Sequence, residues 1–200
     1  MLDILEFIAV IAAGIYGILH ARAKNMDLIG VFTIAFLTAL GGGTLRDLIL
    51  DRDPIFWVRH QEYAISVFVM VILASFIKTF PPKVENALYI PDAIGLALFT
   101  ILGTDYALQA GAPLFAASLI GVVNGAFGGV IADIMCDEIP CLFDGGSLYA
   151  TCAFLGAWVY FGLLHLLPDS KIPYFAALGF IIILRLAAVR WDIRLKGFEI

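Results

Sequence analysis

A chain of 200 residues that is 62% hydrophobic, with a mean hydropathy of +0.99, carries more apolar surface than a soluble core of that length can hide. Most of it must face lipid, so membrane lipids are its first expected partner. With 14% charged residues and a net charge of −5, nucleic acid is not an expected one.

A hydrocarbon layer of roughly 30 Å takes about 20 apolar residues of helix, and such runs recur along the whole chain. The first, Leu2–Leu19, holds Asp3 and Glu6 and lacks both a basic leader and a small-residue cleavage site, so it reads as a span rather than a secretory signal. The second, Leu28–Leu50, contains Thr33 and Thr38 and then Gly41, Gly42 and Gly43, followed by Arg46 and Asp47. Tyr63–Ile77 is the third, and Ile90–Leu108, with Thr100, Thr104 and Asp105, the fourth. The fifth, Pro113–Met135, contains Ser118, Gly121, Asn124, Gly125, Gly128, Gly129 and Asp133. Leu148–Leu167 and Pro173–Val189 complete the set. The connections leave no room for a soluble domain. The fold class is therefore all-α, with seven transmembrane helices in one domain over residues 1–200.

The polar residues offer no catalytic constellation. Cys136, Cys141 and Cys152 have neither CxxC nor Cys/His spacing and read as packed thiols, so no transition-metal site is expected. His20, His60 and His165 fall at span ends. Tyr16, Tyr106 and Tyr149, with Trp57, Trp158 and Trp191, suit packing or interfacial belts. Hydroxyls such as Thr33, Thr38, Thr100, Thr104 and Ser118 either line a path or bond to their own helix backbone, the latter being the more frequent fate. No Ser/His/Asp group or phosphate loop is present, and neither an enzyme nor a cofactor is expected.

Lysine and arginine sort by side. Arg22, Lys24, Lys78, Lys83, Arg190, Arg194 and Lys196 fall on one face of a seven-span arrangement, with Arg52, Arg59 and Lys171 on the other. The positive-inside rule then places the carboxyl terminus in the cytoplasm and the amino terminus outside.

An internal repeat runs through the chain at an offset of 86 residues, as from Asp47 to Asp133. At that offset Gly42 and Gly43 meet Gly128 and Gly129, Asp51 meets Asp137, and Pro54 meets Pro140. Gly17 also meets Gly103, and Tyr63, Ala64 and Phe68 meet Tyr149, Ala150 and Phe154. The copies occupy about residues 2–80 and 88–167, and the helix at about 173–190 stands outside them. Each copy holds three spans, an odd number, so the second enters the membrane from the opposite side and the repeats are inverted. Inverted repeats are an architecture of transporters and channels, with the path at the repeat interface.

The glycines support two readings. Three in succession inside the hydrocarbon layer weaken a helix by about 1 kcal/mol each relative to alanine, so Gly41–Gly43, and Gly128–Gly129 in the second copy, are expected to break or unwind their helices. Carbonyls so freed must line protein or water. In the other reading, small residues such as Gly121 and Gly125 let helices pack closely. The ionisable groups after each glycine motif favour a path, because charges at membrane depth face water or one another. Arg46 is expected to pair with Asp133 across the repeat, with Asp47 offsetting the remainder. Capping of helix ends by Asp47 and Asp133 is the alternative.

The Gly-Gly-Gly-x-x-Arg-Asp run at 41–47, its echo at 128–133 and the three-plus-three-plus-one plan resemble the bacterial and archaeal branch of the trimeric intracellular cation channels. The resemblance covers nearly the whole chain. It implies a homotrimer in the cell inner membrane, each protomer holding a water-filled pore for potassium and sodium, kinked at the glycine motifs. The residues it implies for the ion path are Gly41, Gly42, Gly43, Arg46, Asp47, Gly128, Gly129 and Asp133; Asn124 joins them from its own polarity at depth. Similar sequences also carry a glycine-transporter label, which makes a secondary transporter of a small solute such as glycine the alternative. The second copy departs from the first in having Phe127 for Gly41 and Ala132 for Arg46, so the halves are electrically unlike.

Overall fold

A computed structural model describes residues 2–77, 88–143, 147–168 and 170–195. Among them lie eight helices: α1 (Leu2–Ala23), α2 (Leu28–Ile49), α3 (Phe56–Arg59), α4 (Gln61–Ser75), α5 (Tyr89–Gln109), α6 (Leu114–Met135), α7 (Ala150–Leu166) and α8 (Ile172–Arg190). Each expected apolar run carries one helix, and α3 is an added turn. By length and composition α1, α2, α6 and α8 are each apolar enough to cross a membrane. The expected cytoplasmic residues Lys78, Lys83 and Lys196 lie outside the described residues.

Helix ends follow local chemistry. The Asp27 carboxylate accepts from the Gly30 amide at 2.8 Å and caps the start of α2. At its far end Asp51 takes the left-handed conformation (φ 52°), the Asp51 amide donates to the Leu48 carbonyl at 3.4 Å, and the Arg52 amide to the Asp47 carbonyl at 2.8 Å. That pair of bonds satisfies carbonyls the last turn would otherwise strand, and Asp tolerates the left-handed region better than most side chains. The end of α6 is built alike, with Asp137 at φ 58° and the Glu138 amide donating to the Asp133 carbonyl at 2.9 Å.

Four helices, α1, α2, α5 and α6, form the centre. Helix α4 lies against α1 and α2, α7 against α5 and α6, and α8 against α5 and α7. Apolar on nearly every side, α5 is buried through Ala93, Leu96, Ala97, Phe99, Ile101 and Leu102. The outer helices instead expose Phe68, Leu73, Leu166 and Ile183, and α2 turns Ile29 and Leu48 outward near its two ends. So much apolar side chain turned outward fits a surface solvated by lipid.

The glycines resolve into the second of their two readings. Helices α2 and α6 run unbroken through Gly41–Gly43 and Gly128–Gly129, so the expected unwinding is absent there. Instead the two helices touch backbone to backbone. A Cβ on Gly42 would overlap the Asn124 carbonyl oxygen, and one on Gly128 would overlap that of Thr38. Gly128 lies 86 residues beyond Gly42 and Asn124 the same distance beyond Thr38, so each contact repeats the other. Gly17 and Gly103, another pair at that offset, pack on Thr38 and Asn124 in turn. The helices cross antiparallel, because the chain climbs from Thr38 to Gly42 as its partner descends from Gly128 to Asn124.

Two alanine substitutions should therefore behave oppositely. At Gly42 the methyl meets a carbonyl that cannot rotate aside, and overpacking of about 1–3 kcal/mol outweighs the roughly 1 kcal/mol gained in helix propensity. At Gly129 the new methyl finds only the Tyr149 hydroxyl, at 3.5 Å, an ordinary contact. Thermal unfolding in detergent is expected to show Gly42→Ala melting below wild type and Gly129→Ala at or above it.

Candidate functional site

Beyond the crossing, α2 and α6 carry their charged residues away from each other. Arg46 lies one turn past Gly42 and Asp133 little more than one turn past Gly128, on antiparallel helices, so they approach opposite ends of the bundle. The expected Arg46–Asp133 pair is thus not formed. Glu6 beside Arg46 and His20 beside Asp133 sit 14 residues apart on α1, roughly 21 Å at 1.5 Å per residue.

At the amino-terminal end the Arg46 side chain is fully buried. Its Nη1 donates to Glu6 Oε1 at 2.8 Å and its Nε to Asp47 Oδ1 at 2.8 Å, while the guanidinium lies over the rings of Phe56 and Tyr106. Asp47 is equally committed. Its Oδ2 accepts from the Phe56 amide at 2.7 Å and its Oδ1 also accepts from Arg52 Nη1 at 3.2 Å. Asp47 therefore ties down the loop after α2 rather than capping its own helix. With one buried cation against two buried carboxylates, and Arg52 at the rim, the cluster is closed and nearly neutralised.

The opposite end is open. A cavity of about 190 Å³ is lined by Tyr16, His20, Asp92, Gly129, Asp133, Tyr149 and Arg185, among others. Asp92 lies 86 residues beyond Glu6, and Tyr149 the same distance beyond Tyr63. The repeat supplies Ala132 where Arg46 would recur, and the cation comes from the helix outside the repeat: Arg185 Nη2 stands 3.4 Å from Asp92 Oδ2 and its guanidinium lies 4.6 Å over the Tyr149 ring. The Tyr149 hydroxyl donates to Asp92 Oδ1 at 3.0 Å. Arg185 Nη1 bonds Ser147 Oγ at 2.8 Å and the Leu148 carbonyl at 3.0 Å, fixing the segment before α7. Asp133 Oδ2 accepts from the Cys141 amide at 3.0 Å, as Asp47 does from Phe56. At the rim Lys24 Nζ lies 2.6 Å from Glu138 Oε1, and that hydrogen bond raises the ammonium's pKa above its ordinary value. A smaller void shares Tyr16, Asp92, Gly129 and Tyr149 with the cavity and reaches inward to Thr38, Phe99 and Gly125.

The chain has counterparts among known proteins. The family described as Glycine transporter matches residues 3–79 and 89–165, two segments whose starts are again 86 residues apart. The UPF0126 inner membrane protein YadS of Escherichia coli K12 is 32% identical across 98% of this chain and 95% of its own length. The chain belongs to the UPF0126 membrane-protein family. A Vibrio cholerae member is 29% identical, covering all of this chain and 84% of that one. Among solved structures, the TRIC trimeric intracellular cation channel orthologue from Rhodobacter sphaeroides superimposes with a TM-score of 0.88 at 30% identity, over 95% of this chain and 97% of that one. A prokaryotic TRIC channel in 0.5 M KCl does so with a TM-score of 0.88 at 28% identity, over 97% and 98%. This UPF0126 protein therefore has the TRIC channel fold.

Of the residues singled out from sequence, Gly129 and Asp133 line the cavity, Arg46 and Asp47 form the closed cluster, and Gly41, Gly42, Gly128 and Asn124 make the crossing between them. Gly43 makes room for the Phe56 ring. Asn124 Nδ2 donates to the Phe99 carbonyl, so its amide holds α5 to α6. Thr33, Thr38 and Ser118 bond to their own helices, at Ile29, Ile34 and Phe115. Sequence reasoning missed Glu6, His20, Asp92 and Arg185. A charged residue within an apolar run, and acidic residues recurring at the repeat offset, are the signals that point to them.

The closed cluster can be tested by removing its members singly and together. Glu6→Ala leaves a buried guanidinium short of a counter-charge, and a loss of about 3–5 kcal/mol is expected. The double variant Glu6→Ala/Arg46→Ala should lose less than the sum of the two single losses, because the uncompensated charge goes with its partner. Equilibrium unfolding of the four proteins measures both quantities.

Proposed function

We propose that this protein is a homotrimeric channel for potassium and sodium, with one path in each protomer and no cofactor. The path enters through the cavity beside Asp92 and Asp133, passes the crossing at Gly129 and Thr38, and leaves past Arg46. The observation that carries the reading is the acid-lined cavity at one end of the bundle, with a smaller void continuing inward to Thr38 and Gly125, in a chain that shares the fold of solved cation channels at 28–32% identity. Carboxylates at such a mouth concentrate cations and disfavour anions.

In this reading the chain is two inverted three-helix units, residues 2–80 and 88–167, followed by a seventh spanning helix. The reciprocal contacts at Gly42 and Gly128 support that arrangement. The cavity mouth faces the cytoplasm with the carboxyl terminus, and the Arg46 cluster faces outward with the amino terminus, as the distribution of basic residues favours. The fully buried Arg46 is the barrier, and opening bends α2 and α6 at Gly41–Gly43 and Gly128–Gly129, where glycine makes bending cheapest. A second reading, transport of a zwitterion such as glycine, is favoured by Arg185 and Asp92 together in the cavity, able to meet a carboxylate and an ammonium, and by the family's description.

Recording purified protein in planar bilayers under a potassium gradient separates these readings. Discrete current steps, narrowed or abolished by a bulky Gly129→Leu side chain in the cavity, are expected. Saturable uptake of labelled glycine without current steps would replace the channel with the transporter. A detergent-corrected mass of three chains is expected for the particle that conducts.

Orientation has its own check. A cysteine at Arg194, in a variant with the native thiols replaced, should react with an impermeant reagent only after the cell membrane is opened. Labelling in intact cells would reverse the assigned direction.

A further inference from the structure

At the cavity mouth His20 and Glu138, to which the proposed conduction path assigns no part, lie together with Asp133. His20 Nε2 stands 3.3 Å from Glu138 Oε2 and 3.6 Å from Asp133 Oδ1. All three donor atoms lie within 4.8 Å of one another. His20 Nε2 is buried and makes no hydrogen bond among the described residues, while its ring stacks on Tyr16 at 5.6 Å between centroids. Asp133 is 5% exposed and fixed by the Cys141 amide through its other oxygen, so Oδ1 remains directed at the histidine.

The separations carry the argument. A direct N–H···O bond between imidazole and carboxylate brings the heavy atoms to about 2.7–3.0 Å, closer than either distance here. A tetrahedral ion with nitrogen and oxygen donors at about 2.0–2.2 Å holds those donors roughly 3.3–3.6 Å apart. The two distances from His20 match two edges of such a tetrahedron. Two carboxylates and a neutral imidazole balance a divalent charge, and an imidazole among oxygen donors suits zinc and its neighbours better than calcium or magnesium. Lys24 is the competing cation, but it touches only Glu138 Oε1 and is itself 36% exposed, so it can swing into water.

We propose that His20, Asp133 and Glu138 form a three-ligand site for a divalent transition-metal ion of the zinc class, at the mouth of the cavity and with its fourth position open toward it. The sequence hid this site, because the ligands come from the end of α1 and from either side of the end of α6, without a recurrent spacing. The site goes beyond the proposed conduction path, and binding there does not depend on whether the protein conducts.

The test is calorimetric titration of zinc into the purified, detergent-solubilised full chain, with unfolding followed in parallel. One ion per chain is expected, with a rise in Tm on saturation. Loss of a ligand should weaken binding at least as much as loss of a residue that only orients one, about tenfold or more. Glu138→Gln, at a half-exposed position that folding does not need, should show that loss, and so should His20→Gln. Cys136→Ser and Cys141→Ser should leave binding unchanged. Absence of binding to wild type would overturn the proposal. So would equal affinity in wild type and Glu138→Gln, or binding abolished by a cysteine variant, which would move the ion to the thiols.

Discussion

The close crossing of α2 and α6 is the constraint on which the remaining structure depends. Contact between a glycine Cα and a facing carbonyl sets the helix separation at its lower limit, since any side chain would force the backbones apart. The contact occurs twice, Gly42 on Asn124 and Gly128 on Thr38, so separation and rotation are both fixed. Around that pair α1 and α5 close the bundle, each through its own glycine, Gly17 on Thr38 and Gly103 on Asn124. Small residues placed reciprocally hold helices in lipid without the hydrophobic driving force available in water.

The crossing also decides where charge can go. Antiparallel helices that meet at their glycine motifs diverge beyond them, so residues one turn past each motif reach opposite ends of the bundle. Arg46 and Asp47 gather Glu6, Phe56 and Tyr106 at one end, and Asp133 gathers His20 and the Cys141 amide at the other. The backbone treatment of the ends is the same, left-handed Asp51 and Asp137 with equivalent capping bonds. The side-chain treatment is not. Where one end buries a guanidinium on α2, the other has Ala132 and draws Arg185 from α8.

Helices and repeat are legible in the sequence because hydropathy and glycine spacing are local properties, each readable from a few neighbouring residues. The function of the glycines is not, because Gly42 looks identical whether it weakens its helix or admits the carbonyl of Asn124. Only the partner tells these apart, and the partner is on another helix. The same reason hides the counter-charge of Arg46. Glu6 reads as an oddity of an amino-terminal span until α1 and α2 are laid side by side. Antiparallel inversion was available as a clue, since it places residues after the two glycine motifs at opposite ends and so argues against an Arg46–Asp133 pair. Arg185 lies outside the repeat, and comparison of the two copies cannot reveal it.

Unlike ends on like scaffolds give the molecule its direction. In low dielectric a guanidinium is tolerable only with counter-charge in contact, and Arg46 has two carboxylates on it with aromatic rings over its faces. The cluster is closed because Arg46 and Asp47 are both buried and Arg46 Nε and Nη1 are held by the two carboxylates, while its Nη2 is buried without a hydrogen-bond partner among the described residues. Arg185 spreads its donors over Asp92, Ser147 and Leu148, leaving Asp92 and Asp133 facing a cavity wide enough for water. Where the repeat carries the cation the end is a closed ion cluster, and where the outer helix carries it the end is an acid-lined cavity. The difference between Arg46 and Ala132 at the repeat position therefore goes with a different source of the cation, α2 at the closed end and α8 at the end that holds the cavity, on a backbone that caps both helix ends alike.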